Sequence, residues 1–243
     1  MVQDSIKRLA MLVRNAQGIV FFGGAGVSTE SGIPDFRSAG GLYSSRAAVR
    51  PETVLSHDFF MDRPSDFFAF YRKHMLYPDA VPNAAHKILA GWEARGILSS
   101  VITQNIDGLH QAAGSRQVFE LHGSVWRNRC LRCGEAFPLA VIAQSTDIPR
   151  CRCGGIIKPD VVLYGEGLDE EVVSGALRAI SASSLVIIGG TSLQVYPAAG
   201  LIMGYRGAVA VINKSPTALD SRAQAVIASP IAQALQDLDA CLV

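Results

Sequence analysis

The chain has 243 residues, of which 49% are apolar and 18% charged, against roughly 25% charged in an average soluble domain. That composition excludes a disordered polymer and supplies a core for one large α/β domain, or for one domain carrying a smaller module. With 22 Lys+Arg against 21 Asp+Glu, the formal charge of +1 leaves no bulk electrostatic footprint for nucleic acid or an anionic membrane.

Read in chain order, the first segment carries Asp4, Lys7, Arg8 and Arg14 where a secretory signal needs an uninterrupted apolar run. No later stretch approaches the ~18–20 apolar residues that span a bilayer. A cytoplasmic protein that binds neither membrane nor nucleic acid is the expectation. Ile6, Leu9, Ala10 and Val13 recur at helical spacing. Gly18–Phe22 then reads as a buried strand running into Gly23-Gly24-Ala25-Gly26-Val27-Ser28. Residues 37–81 hold many aromatics, among them Phe59, Phe60, Phe67, Phe68, Phe70, Tyr71 and Tyr77, and no clear strand series. Asn83 is the predicted N-cap of an Ala-rich helix containing Ile88, Leu89 and Trp92. Two further strands follow: Ser100–Ile102, ending at Thr103-Gln104-Asn105-Ile106-Asp107-Gly108, and Val118–Leu121, ending at His122-Gly123.

Residues 126–158 contain four cysteines and little else that would make a core. Glu170–Ile180 places Val172, Val173, Ala176, Leu177 and Ile180 on one helical stripe. Leu185–Ile188 runs into Gly189-Gly190-Thr191-Ser192, and Ala208–Ile212 into Asn213-Lys214. Ser229 and Pro230 read as N-cap and first residue of a last helix bearing Ile231, Leu235 and Leu238. Alternating strands and helices predict an α/β, Rossmann-like, doubly wound parallel sheet, with ligands outside the carboxyl ends of its strands. Residues 1–36, 82–125 and 159–243 would build that sheet domain. The insertions 37–81 and 126–158 would form a smaller helical and metal-binding module.

Cys130, Cys133, Cys151 and Cys153 form a C-x2-C pair, seventeen intervening residues and a C-x-C pair. Two close pairs at roughly this separation are the usual tetrathiolate zinc arrangement, although two spacer residues are commoner in the second pair. Four thiolates leave no open position for water or substrate, so one structural Zn2+ is expected. Arg132, Arg150 and Arg152 alongside would offset part of its negative charge, and Cys241 stands apart as an ordinary apolar residue or thiol.

Gly24-Ala25-Gly26 after a strand suggests dinucleotide binding, because glycines let backbone N–H groups approach a diphosphate. An ordinary dehydrogenase is a poor match. Thr29 occupies the third glycine position, and Ser45–Arg50 offers no acidic partner for a ribose. The loop instead continues through Gly32-Ile33-Pro34-Asp35-Phe36-Arg37.

These two runs closely resemble the first signature of the sirtuins, NAD-dependent protein lysine deacylases. Thr103–His110 resembles the second signature and His122-Gly123 the third, while Gly190-Thr191-Ser192 and Asn213 match later NAD-binding positions. The resemblance covers roughly residues 18–240, is to compact, prokaryote-like members, and places the zinc cysteines between the third and fourth blocks. It implies that NAD is a consumed co-substrate: the acetyl group of an acetyl-lysine protein or peptide moves to ADP-ribose, and nicotinamide is released. His122 would be the general base, since imidazole takes up a proton near neutral pH; His110 would be structural.

By the same resemblance, Asn105 and Gln104 orient the ribose, and Ile106 and Asp107 receive the nicotinamide carboxamide. Phe36 and Arg37 form a lid. Gly24, Ala25, Gly26, Ser28, Gly190, Thr191 and Ser192 line the phosphate path, Asn213 meets the adenosine ribose and Ile231 the adenine. The peptide would thread between Val162-Leu163-Tyr164-Gly165-Glu166 and the segment around Val195, held as an added strand. Tyr164 and Tyr196 would alternatively be core aromatics. The branch that removes malonyl and succinyl groups carries Tyr-x-x-Arg; here Tyr71-Arg72-Lys73-His74 puts His74 at the Arg position, with Arg72 turned to solvent. Deacetylation by a monomer is therefore expected, extending to other uncharged acyl groups. Mono-ADP-ribosyl transfer is the alternative activity, and a non-enzymatic NAD-sensing module the alternative class.

Overall fold

The computed structural model describes residues 2–35 and 49–242. Its centre is a six-stranded, wholly parallel sheet in the order β3-β2-β1-β7-β8-β9. The strands are β1 (Ile19–Gly23), β2 (Ser100–Thr103), β3 (Val118–Glu120), β7 (Leu185–Gly189), β8 (Ala208–Ile212) and β9 (Ala225–Ile227). Every residue of β1, β2 and β7 is buried. Burial on both faces is why these strands read as continuous Val/Ile runs rather than alternating patterns.

One face packs on α1 (Val2–Asn15), α5 (Ala84–Ala94) and α10 (Ile231–Leu242), through Leu9, Trp92, Leu235 and Leu238. The other face packs on α8 (Glu170–Ala182) and α9 (Gly200–Met203), through Ala176, Ile180 and Ile202. The helix stripes follow the sequence with two differences. Leu177 is 43% exposed, so the buried face of α8 runs through Gly175, Ala176 and Ile180. In α10 the Ala234 N–H donates to Pro230 O, which makes Pro230 rather than Ser229 the capping residue. Asn83 caps α5 as expected, its side chain accepting from Ala85 N at 2.9 Å.

The strand order reverses between β1 and β7. In a doubly wound sheet that switch point opens a crevice above the carboxyl ends. Residues 100–123 cross from β2 and β3 into a second, antiparallel sheet, ordered β5-β4-β6 from β4 (Gly123–Cys130), β5 (Ala136–Pro138) and β6 (Ile157–Val161). Against it pack α3 (His57–Asp62) and α4 (Pro64–His74), together with α7 (Leu139–Ala143), while α2 (Pro51–Val54) packs on α3 and α4. Phe60, Phe67, Phe68 and Tyr71 share one core with Leu139, Ile142, Ile157, Cys130 and Cys151. The cysteine-bearing segment therefore supplies apolar mass of its own, which the sequence reading did not credit. A short α6 (Leu109–Ala112) follows the β2 loop. Among the described residues, no helix is long and apolar enough to cross a membrane.

Candidate active site

A cleft of about 470 Å³ lies between the two sheets, over the switch point. Of the residues assigned from sequence, Ala25, Gly26, Ser28, Gln104, Asn105, Ile106, Asp107 and His122 line it. So do Val162, Leu163, Tyr164, Gly165, Glu166, Gly190, Thr191, Ser192, Val195, Asn213 and Ile231. Gly24 does not reach the cleft. It packs on Thr191, where an added Cβ would stand 2.8 Å from the Thr191 Cβ. Phe36 and Arg37 lie outside the described residues. Tyr164 and Tyr196 are 40% and 66% exposed, so they are not core aromatics.

The glycines of the first loop also serve a structural purpose. The loops after β1 and β7 touch one another, with Gly26 N donating to Gly190 O at 2.8 Å. A Cβ on Gly26 would come within 2.8 Å of the Gly190 backbone, and one on Gly190 within 2.5 Å of Val27 N. Gly190 also has φ of +58°, in the region that favours glycine. These residues let two strand-end loops close on each other, which shapes the floor of the cleft.

At the ends of β7 and β8 the cleft is bordered by Thr191, Ser192, Asn213, Lys214 and Ser215. Hydroxyls, an amide and an ammonium, with no carboxylate among them, suit an anionic diphosphate. Toward the middle, Ser28 organises a buried polar cluster. Its Oγ donates to Asp107 Oδ2 at 2.7 Å and accepts from Asn105 Nδ2 at 3.0 Å. His86 Nε2 lies 3.5 Å from the same Oγ, while its Nδ1 accepts from Asn83 N at 3.3 Å. Burial pushes the His86 pKa down to about 4, against the pull of Asp107. A neutral His86 with its proton on Nε2 satisfies both contacts. The Asp107 Oδ1 accepts from Leu109 N at 2.9 Å, which fixes the carboxylate from its other side.

His122 lines the same cleft from the turn between β3 and β4. Its Nδ1 donates to Gln104 O at 2.9 Å, leaving Nε2 as the basic nitrogen. Burial lowers the His122 pKa below 6.5, and the bond to Gln104 O opposes that shift. The imidazole is therefore neutral at pH 7. The Gln104 side chain donates to Thr191 Oγ1 at 3.0 Å and its N–H donates to Gly23 O at 3.0 Å. One residue thus ties β1, β2, the β7 loop and His122 together. His110 is 1% exposed, and neither of its ring nitrogens has a hydrogen-bond partner. Burial, then the neighbouring His86, takes its pKa down to about 3, so it stays a neutral packed ring.

Gly123 sets the position of His122. Its φ is +75°, and a Cβ there would lie 1.9 Å from Asp160 O. Gly123→Ala is expected to cost at least about 2 kcal/mol in stability and to displace the imidazole; denaturant unfolding measures the loss. Beside it, Arg127 bridges Glu120 at 2.6 Å and Asp160 at 2.8 Å, pinning the crossing between the sheets.

The four cysteine Sγ atoms lie within 4.8 Å of one another, with Cys130–Cys153 at 3.4 Å and Cys133–Cys151 at 3.6 Å. Tetrahedral zinc with Zn–S near 2.3 Å needs sulfurs about 3.8 Å apart, so the set fits that ion. Arg132 and Arg150 donate to the carbonyls of Cys153 and Gly154, fastening the second turn.

The acyl-selectivity residues fall differently from expectation. Tyr71 is fully buried and stacks on Phe67, while His74 lines the cleft. Arg72 is half-buried rather than turned wholly to solvent. Its Nη1 donates to Ser145 Oγ and Asp147 O, both at 3.0 Å, which clamps the loop after α7 onto α4. His86, the Gln104 carbonyl and Arg127 were missed in the sequence, because their partners lie between 7 and 58 residues away. The capping position of His86 in α5 was the one local signal.

The Sir2 family model matches residues 24–197. Two curated relatives named NAD-dependent protein deacetylase come from Clostridium acetobutylicum and Clostridium perfringens. They are 54% and 53% identical over 238 and 239 residues, covering 96% of this chain and 97% and 98% of their own. A solved Sir2 structure bound to acetylated peptide matches with a TM-score of 0.87 at 34% identity, over 98% of this chain and 99% of the other. A second, containing Sir2, a p53 peptide and NAD+, matches with a TM-score of 0.85 at 37% identity, over 95% of each chain. By signature, strand order and cleft, and by these likenesses, the chain belongs to the Sir2 family.

Proposed function

We propose that the chain is an NAD-dependent protein lysine deacetylase, moving the acetyl group of an acetyl-lysine side chain to ADP-ribose with release of nicotinamide. The observation that carries the reading is an oriented His122 sharing one cleft with the Ser28–Asn105–Asp107 cluster, in a chain more than half identical to relatives named for that activity. When bound, NAD supplies a ribose carbon activated by its nicotinamide leaving group. His122 Nε2 takes a proton from a ribose hydroxyl. Asn105 and Gln104 hold the ribose, and Ile106 and Asp107 receive the carboxamide. Ala25, Gly26, Ser28, Gly190, Thr191 and Ser192 flank the diphosphate, Asn213 the adenosine ribose and Ile231 the adenine. Phe36 and Arg37 keep the lid role that their motif implies.

The peptide lies between residues 162–166 and Val195, with its backbone paired to theirs. Cys130, Cys133, Cys151 and Cys153 hold one Zn2+, which is structural because no open coordination position remains. The sheet domain comprises 1–36, 82–125 and 159–243, and the small module 37–81 and 126–158. The enzyme acts as a monomer in the cytoplasm.

Acyl preference gives a direct test. His74 is the titratable group that the 71–74 run presents to the cleft, and burial, then Lys73, lowers its pKa. A neutral imidazole offers no ion pair to an acyl carboxylate, whereas Arg72 is committed to the 145–147 loop. An acetyl-lysine peptide should be turned over at least tenfold more efficiently, in kcat/KM, than its succinyl counterpart. Efficient desuccinylation would overturn the acyl assignment, and no deacylation of either peptide would overturn the enzyme reading.

A further inference from the structure

The segment 162–166 is bound from several sides at once. Val162 N donates to His122 O at 3.0 Å, and Tyr164 pairs with residues 55–57: its N–H donates to Leu55 O at 3.0 Å and its carbonyl accepts from His57 N at 2.8 Å. The segment thus joins the backbone of the candidate base to the helical insertion. At its end stands Glu166, whose carboxylate collects donors from three places. Oε1 accepts from His57 Nδ1 at 3.0 Å, at the start of α3. Oε2 accepts from Lys158 Nζ at 3.0 Å, on β6, and from Leu163 N at 2.9 Å. The Lys158 ammonium spends its other donors on Val161 O at 2.9 Å and Pro159 O at 3.3 Å.

We infer that His57, Glu166 and Lys158 form a latch of positioning residues that holds strand 162–165 at the register in which an acylated peptide pairs with it. This rests on the deacetylase reading above and deepens it. A peptide held by its backbone needs a template strand whose own N–H and C=O groups are fixed before it arrives, because ordering them on binding would cost affinity. Among the described residues, the segment 162–166 makes no β-ladder beyond the single bridge at Ser56–Tyr164. Its backbone is tied at Val162 and Tyr164 and closed by Glu166 N donating to Leu163 O at 2.9 Å, and side chains add the rest of its rigidity at the 163–166 end. Glu166 supplies that part by accepting from Leu163 N, while the Lys158 ammonium and the His57 Nδ1 donor, from separate elements, hold the carboxylate in place. Lys158 is 15% exposed at its side chain and Glu166 20%, so water competes weakly for that bond; His57, at 48%, is the outer and weaker arm. Glu166 acts here through the strand rather than by touching the acyl-lysine.

Glu166→Gln keeps the size and an acceptor for Leu163 N but removes the charge that pairs with Lys158 and the second oxygen that accepts from His57. It is expected to raise the KM for an acetyl-lysine peptide by roughly tenfold, with kcat changed less than about threefold and the KM for NAD unchanged. Lys158→Met should give a similar peptide-side increase. The double variant should be no worse than either single one, since both remove the same contact. Glu166→Asp, which retains the charge, should recover part of the loss. His57→Asn, at an exposed side chain, should raise peptide KM by about two- to threefold with an unchanged melting temperature, and it serves where the buried variants fold poorly. A peptide KM unaltered in folded Glu166→Gln and His57→Asn overturns the latch, as does an equal loss toward peptide and NAD. A wild-type chain that binds and deacylates no peptide fails the deacetylase reading instead, so the two failures are distinct.

Discussion

His122→Ala is expected to lower kcat by about 10²–10⁴-fold while leaving NAD binding within a few-fold of the wild type. Binding should survive because the diphosphate and adenosine contacts proposed above come from the β1, β7 and β8 loops and not from the imidazole. Turnover is lost because Nε2 of His122, with Nδ1 committed to Gln104 O, is the nitrogen the geometry leaves to accept a proton. The same residue dictates the acid side of the pH profile. Burial depresses its pKa, so the neutral base persists below the ordinary value of 6.5 and activity falls only as the pH passes through that lowered value. Burial pushes His86 and His110 down to about 4 and about 3 and both are packed away from a base role, so His122 is the imidazole to which the acid limb is assigned. A kcat/KM profile whose acid limb sits above 6.5, or an alanine variant with unchanged turnover, would remove His122 as the base.

The second large effect concerns the metal. The protein is expected to carry one zinc per chain, and loss of a ligand in Cys151→Ser should destabilise the small module by several kcal/mol, given the ~10–16 kcal/mol apparent binding energy of structural zinc sites. Cys130 and Cys151 are buried in the same core as Phe60, Phe67, Phe68 and Ile157, so the damage spreads into the helices of the insertion. Strand 162–166 is paired to that insertion at Tyr164. Deacetylation should therefore fail together with the fold, through the peptide side rather than the NAD side. Metal analysis and thermal unfolding check this directly. A zinc-free chain with an unchanged melting temperature would contradict it.

Much of the sheet was legible because buried parallel strands need apolar residues on both faces: Ile19–Phe22, Leu185–Ile188 and Ala208–Ile212 carry that requirement in every residue. The three-residue strand Ala225–Ile227 was not, since an edge strand so short, with Val226 36% exposed, has no pattern to display. Motif residues at strand ends were legible for the complementary reason: polar clusters directly after apolar runs have few structural explanations. What escaped was everything set by tertiary approach. Gly26 and Gly190 are glycines because two loops meet, Arg72 clamps a loop some seventy residues on, and Glu166 meets His57 across 109 positions. A periodic pattern records which face of an element is buried, and it carries no information about which distant loop covers that face.

The central claim is the transfer of acetyl from lysine to ADP-ribose, and the products of one incubation with NAD and an acetyl-lysine peptide test it. Mass spectrometry should find nicotinamide, deacetylated peptide and acetyl-ADP-ribose in equal amounts. Nicotinamide with ADP-ribosylated protein and no deacetylated peptide would contradict the account in favour of ADP-ribosyl transfer, and NAD binding without any product would contradict catalysis altogether.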